Sequence, residues 1–221
     1  MDDREDMRRR ALESHANGDA TGWFDELYRS VDGDWSRIPW AKLAPNPHLI
    51  EWLASEAPGA DRSCLVVGCG LGDDAEALAS AGFDVTAFDV APTAIATAKR
   101  RFPKTAVRYE VADALAPPAS WAGRFAFVFE SYTLQALPVE ARAVAIRSIA
   151  GFVAPTGRLL LLCRGREDEP PSPHPPFPLS DADLAGFLEQ GLVVRSFERF
   201  MDAEEPPVRR FRVVYRRGGT P

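Results

Sequence analysis

Ser63-Cys64-Leu65-Val66-Val67 runs straight into Gly68-Cys69-Gly70-Leu71-Gly72, and that turn opens into Asp73-Asp74-Ala75-Glu76-Ala77-Leu78-Ala79-Ser80-Ala81. The first run is short, apolar and ends at glycine, the pattern of a parallel strand buried on both faces. The last is alanine-rich and helical, and Gly82 stands where a C-terminal cap would end it. The glycines between them permit backbone conformations that side chains forbid and let a ligand approach the main chain. Taken alone, the turn also suits a protein that binds nothing there, so residues farther along the chain decide.

Outward from this unit the alternation repeats. Residues 83–88 form a second strand, 92–102 a helix with proline near its first turn, and 106–111 a third strand. Strands at 125–129 and 158–163 flank a helix over 139–153. This rhythm indicates a doubly wound α/β fold with a mostly parallel sheet covered on both faces. Residues 165–178 fill with prolines and charges and mark an exposed loop. Ser180 then opens a last helix, with Asp183 in the capping-box position. Two final strands, 191–200 and 208–216, are joined by an acidic, proline-bearing turn and suit an antiparallel edge. Before residue 59 the chain is different: a charged surface helix to about residue 18, Trp23, Phe24, Leu27 and Tyr28 at helical spacing, and an aromatic loop holding Trp35, Pro39 and Trp40. A turn at Pro45-Asn46-Pro47 leads into a helix from His48 to about Ala57. We read residues 1–58 as a helical, aromatic lid segment and 59–221 as the core of the same domain.

The 221 residues are 46% hydrophobic and 26% charged, an ordinary globular balance. With 26 basic and 32 acidic residues the formal charge is −6, which argues against nucleic-acid binding. The run Arg8-Arg9-Arg10 is offset by Asp2, Asp3, Glu5 and Asp6 and reads as the salt-bridged face of a first helix. Cys64, Cys69 and Cys163 form no CxxC pair; Cys64 and Cys163 lie in apolar strand-like runs and are expected as buried free thiols, in a reducing compartment. No apolar run reaches membrane-spanning length, and the acidic first residues do not resemble a signal peptide. The expectation is a cytoplasmic protein, monomer or homodimer, with no membrane or nucleic-acid partner and no metal.

Two aspartates give the glycine turn a ligand. Asp89 ends the second strand, where a carboxylate accepts hydrogen bonds from a ribose diol in doubly wound sheets. Asp113 follows the third strand and could accept from an adenine amino group, or cap the next segment. The dinucleotide fingerprint wants glycine or alanine where this chain has Asp73, with Asp74 next. Two acids there would repel a diphosphate and tolerate a cationic, phosphate-free ligand, which favours a sulfonium nucleoside over a nicotinamide dinucleotide.

Val66-Val67-Gly68-Cys69-Gly70-Leu71-Gly72, Asp89 and Ala112-Asp113 together resemble the class I S-adenosylmethionine-dependent methyltransferases over about residues 60 to 165. The resemblance implies a Rossmann-like, seven-stranded sheet with a reversed last strand. It also implies S-adenosylmethionine as cofactor, with the glycine turn under its methionine part, Asp89 on the ribose and Asp113 at the adenine. Three further segments are similar to the thiol, halide and thiopurine methyltransferases. These are Trp35-x-x-x-Pro39-Trp40 followed by Pro47-His48-Leu49, the stretch Tyr132-Thr133-Leu134-Gln135-Ala136-Leu137-Pro138-Val139-Glu140-Ala141-Arg142, and Pro175-Pro176-Phe177-Pro178-Leu179-Ser180. The chain departs from that pattern at Ile38, Leu134-Gln135 and His174.

The implied function is methyl transfer to a small-molecule nucleophile, a thiol or related sulfur or halide acceptor. The alternative is O- or N-methylation of a small aromatic or secondary metabolite. A nicotinamide-dependent oxidoreductase and a non-catalytic nucleoside-binding module stand behind these. In-line displacement at a sulfonium needs positioning and exclusion of water, and no tight histidine–carboxylate motif marks a general base. The candidate cofactor residues are Trp35, Trp40, Gly68, Cys69, Gly70, Asp89, Val90, Asp113, Ala114 and Glu130. Tyr132 and Glu130 are the candidate catalytic groups, each with a bland alternative as a packed tyrosine or a capping carboxylate. Trp35 and Trp40 have core anchoring as theirs. His48 reads as part of a helix start and Arg142 as a surface or salt-bridging residue.

Overall fold

The computed structural model describes residues 2–56, 58–167 and 169–218. Seven strands form one sheet in the order β3-β2-β1-β4-β5-β7-β6. They are β1 (Ser63–Val67), β2 (Asp84–Asp89), β3 (Arg108–Val111), β4 (Phe125–Ser131), β5 (Val153–Arg164), β6 (Leu192–Met201) and β7 (Arg209–Arg217). The expected strands are therefore all present, with β4 and β5 longer than their apolar cores suggest. The chain forms two compact units, residues 1–113 and 114–221.

In the first unit, β1 pairs in parallel with β2, and β2 with β3. Cys64, Leu65, Val66 and Val67 are all buried, as a strand covered on both faces requires. Helices α4 (Asp73–Ser80) and α5 (Pro92–Arg101) follow β1 and β2, and Gly82 takes the left-handed conformation just past α4. Ahead of them lie α1 (Asp3–Ala16), α2 (Gly22–Ser30) and α3 (Pro47–Leu53). The basic run of α1 is salt-bridged as expected, Arg9 to Asp6 and Glu13 and Arg10 to Asp6, at helical three- and four-residue spacing. Helix α2 buries Trp23, Leu27 and Tyr28, and its Asp25 accepts the Thr93 backbone N–H in the first turn of α5. Helix α3 stops at Leu53, short of the expected extent, and Ala57 lies outside the described residues.

In the second unit, β4 and β5 run parallel, while β7 pairs antiparallel with both β5 and β6. Helix α6 (Val139–Phe152) buries Ala145, Ile146, Ile149 and Phe152. Helix α7 (Asp181–Glu189) begins with the expected capping box: Ser180 accepts from the Asp183 N–H, and Asp183 accepts from the Ser180 N–H. No helix among the described residues is long and apolar enough to cross a membrane. All three cysteines are free and buried, and burial raises each thiol pKa.

Candidate functional site

The glycine turn is a run of left-handed backbone. Gly68, Gly70 and Gly72 have φ of +61°, +52° and +95°, a region that costs an L side chain roughly 1–2 kcal/mol at each position. Gly72 is also held sterically: a Cβ there would run into the Tyr109 hydroxyl and lie 3.2 Å from the Ala98 methyl. Gly72→Ala is therefore expected to destabilise the protein by roughly 2–4 kcal/mol, read as a lowered urea midpoint.

Asp89 pins this turn from the end of β2. Its Oδ2 accepts the Gly70 N–H at 2.8 Å and its Oδ1 accepts the Ala91 N–H at 2.9 Å. Burial raises its pKa, against the lowering effect of these backbone donors. Each carboxylate oxygen keeps a lone pair beyond its backbone partner, so Asp89 can still accept from a ligand. Cys69 is buried and donates its N–H to Phe88 O at 2.8 Å, which continues the ladder past the strand. Val90 and Asp113 are half-buried; Ala114, the first residue of the second unit, is buried.

The two acids beyond the glycines need a correction to the sequence reading. Asp73 forms a two-pronged salt bridge with Arg101, both bonds 2.7 Å, and Arg101 also donates to Leu71 O. Asp74 accepts the Asn46 N–H at 2.6 Å, and burial pushes its pKa up to about 6. The negative charge at the start of α4 is thus largely matched internally. The repulsion of a diphosphate that the bare sequence suggests is correspondingly weaker, and the discrimination rests on other residues.

Trp40 is half-buried and meets Trp23, Phe24 and Tyr28 edge-on, with ring centroids 5.9, 6.1 and 6.0 Å away. Its Nε1–H donates to the Tyr28 hydroxyl at 2.9 Å. Trp35, half-buried, sits in a short helical turn over Trp35–Arg37. Sequence reasoning gave Tyr28 no site role. Its signal, an aromatic on a buried helix face, is the same as that of any core residue.

In the second unit a different group of residues gathers at the end of β4. Glu130 is fully buried. Its Oε1 accepts the N–H groups of Thr133 and Leu134 at 2.7 and 3.0 Å, while Oε2 has no partner among the described residues. Burial outweighs the two backbone donors and lifts its pKa to about 7. Tyr132, two residues on, has φ of +65°, a strained conformation for a residue with a side chain, and its ring lies 5.1 Å from the Arg210 guanidinium carbon.

The segments singled out around residues 132–142 and 175–180 meet here. Gln135 is buried, its Oε1 accepts the Arg164 N–H, and its carbonyl accepts the Phe177 N–H, both at 2.6 Å. Of the two expectations for Arg142, the salt bridge is present and the surface placement is not. The residue is 7% exposed, donates to Leu137 O at 3.2 Å and pairs with Asp183 at 3.4 Å. It also lies over the Phe177 ring at 5.4 Å, tying the proline-rich loop to α6. His48 falls in the first turn of α3, its N–H capped by Asn46 Oδ1 at 3.0 Å.

A family model for thiopurine S-methyltransferase matches residues 32–217. The 2-heptyl-1-hydroxyquinolin-4(1H)-one methyltransferase of Mycobacteroides abscessus is 30% identical over 152 residues, which cover 67% of this chain and 66% of that protein. The ubiquinone biosynthesis O-methyltransferase of Thiobacillus denitrificans is 33% identical over 114 residues, 51% of this chain and 48% of that one. The matches thus span between about half and two thirds of these curated relatives. Among solved structures, the N-methyltransferase NodS of Bradyrhizobium japonicum bound to S-adenosylhomocysteine superposes with a TM-score of 0.66 at 19% identity. That superposition covers 86% of this chain and 97% of NodS, and it shows a shared fold. By the extent of the family match, the chain belongs to the thiopurine S-methyltransferase family, within the class I S-adenosylmethionine-dependent methyltransferases.

Proposed function

We propose that the protein transfers a methyl group from S-adenosylmethionine to a proton-bearing nucleophile on a small molecule, a thiol first. The observation that carries the acceptor reading is the unpartnered Oε2 of Glu130, a fully buried carboxyl oxygen whose group titrates near neutral pH. Such an oxygen can take the proton that a thiol or hydroxyl loses as it attacks. It would repel a halide ion, which has no proton to give, so the halide reading falls behind the thiol.

The first unit's residues fit the cofactor. The glycine turn carries no side chains between β1 and α4 except those of Cys69 and Leu71, and Asp89 offers acceptors to a ribose diol. In this reading Gly68, Cys69 and Gly70 underlie the amino-acid part, and Val90, Asp113 and Ala114 border the adenine. Residues 1–58, with Trp35 and Trp40, act as its lid. Bound S-adenosylmethionine supplies an electrophilic methyl on a sulfonium sulfur. Its carbon–sulfur bond would break toward sulfur as the acceptor's lone pair takes the methyl, which leaves the chain's own residues only the acceptor and its proton to handle. Glu130 takes the acceptor's proton, and Tyr132, strained and braced by Arg210, orients the acceptor.

O-methylation of a hydroxylated heteroaromatic is the second reading, favoured by the named substrate of the Mycobacteroides relative. Incubation with methyl-labelled S-adenosylmethionine and a panel of thiopurines, aliphatic thiols, hydroxyquinolones and iodide separates the cases. Label on the sulfur compounds is expected. Label only on hydroxyquinolones would move the assignment to oxygen, and label only on iodide would overturn the role of Glu130.

A further inference from the structure

Tyr28 is 2% exposed, and its hydroxyl oxygen accepts the Trp40 indole N–H at 2.9 Å. A Cβ added to Gly70 would lie 3.1 Å from that oxygen, so the hydroxyl stands directly against the middle glycine of the turn. Because Trp40 already fills one lone pair, the phenol has its O–H left to give, and among the described residues no acceptor takes it. A buried donor without an acceptor is rare in folded proteins and calls for an explanation. Burial and then the nearby Asp89 charge keep the phenol protonated, so the hydrogen is available at any working pH.

We infer that Tyr28 is a cofactor-positioning residue whose hydroxyl donates to the carboxylate of the amino-acid portion of the ligand held over Gly70, with Trp40 fixing the direction of the bond. The inference rests on the S-adenosylmethionine reading of the turn. The ligand's chemistry selects the carboxylate. Tyr28 presents a donor, and a donor in a dry site bonds best to an anionic oxygen. The amino-acid end carries the ligand's only anion. Asp89, an acceptor, suits the opposite need, the ribose diol. One donor and one acceptor, both next to Gly70, would thus fix two parts of the same molecule.

Calorimetry on the full chain tests this with S-adenosylhomocysteine and 5′-methylthioadenosine, which shares the nucleoside and thioether but lacks the carboxylate. Tyr28→Phe is expected to weaken S-adenosylhomocysteine about 10- to 100-fold, the scale of a lost hydrogen bond to a charged group. Its affinity for methylthioadenosine should be unchanged. Equal losses for both ligands, or no loss for either, would reduce Tyr28 to a packing role and overturn the inference. Trp40→Phe gives a second reading: a loss larger for S-adenosylhomocysteine than for methylthioadenosine is expected, and a loss shared equally by both ligands counts against the claim. If the unaltered protein binds neither ligand, the cofactor reading itself fails, an outcome distinct from the others.

Discussion

Asp89→Ala abolishes measurable binding of S-adenosylhomocysteine. Two hydrogen bonds from a ribose diol to a buried carboxylate contribute roughly 3–6 kcal/mol together, or about 10²- to 10⁴-fold in affinity. The alanine variant also frees the Gly70 and Ala91 N–H groups that Asp89 now holds, so the glycine turn loses its brace as well as its ligand contact. Asp89→Asn is the milder change to the turn, because its amide oxygen retains one of the two backbone donors. Thermal unfolding with and without S-adenosylhomocysteine is the readout: the unaltered protein gains in melting temperature and neither variant does. Near-normal affinity in Asp89→Asn would remove Asp89 from the site.

Glu130→Gln has the second large effect, on rate. Loss of a positioned base costs typically 10²-fold or more, and the loss should be greatest for acceptors that are still protonated at the assay pH. An acidic thiol already ionised in solution should be largely spared, which a merely structural role would not predict. With the carboxyl titrating at about 7, kcat/KM for a protonated acceptor rises as pH increases through neutrality, and this acid limb vanishes in the glutamine variant. Stability moves the other way. Because the folded-state pKa lies above the ordinary 4.5, the folded protein holds this proton more tightly than the unfolded chain. The stabilisation is fully present below about pH 4.5 and is lost as pH rises through about 7. At pH 8 the glutamine variant, with no charge to bury, should therefore melt no lower than the unaltered protein. Full activity in Glu130→Gln at neutral pH would remove it from catalysis.

Much of this architecture is legible in the residues alone. The run Ser63–Val67 is a strand from end to end because burial on both faces demands an unbroken apolar stretch. The Ser180–Asp183 box fixes the start of α7 locally, without help from the rest of the chain. What depends on distant partners is harder to see. Arg142 looks like a surface arginine until Asp183 and Phe177 arrive from 35 to 41 residues away. Asp73 and Asp74 look like free charges because Arg101 and Asn46, which engage them, lie 28 residues off in either direction. Strand β5 reaches back to Val153 because that residue pairs with Phe125 of β4 across a shift in register, and the four residues between it and Arg158, which include Thr156 and Gly157, follow no apolar pattern. Glu130 can be proposed from its place after an apolar strand. Its orphaned oxygen follows from the Thr133 and Leu134 N–H groups claiming the other one, a matter of local geometry that composition does not encode.

The glycine turn at residues 68–72 is expected to hold S-adenosylmethionine. Titration calorimetry of the full chain with S-adenosylhomocysteine, run beside NADH, tests it most directly. Saturable one-to-one binding of S-adenosylhomocysteine and no heat from NADH are expected. Binding of NADH alone, or of neither, would contradict it.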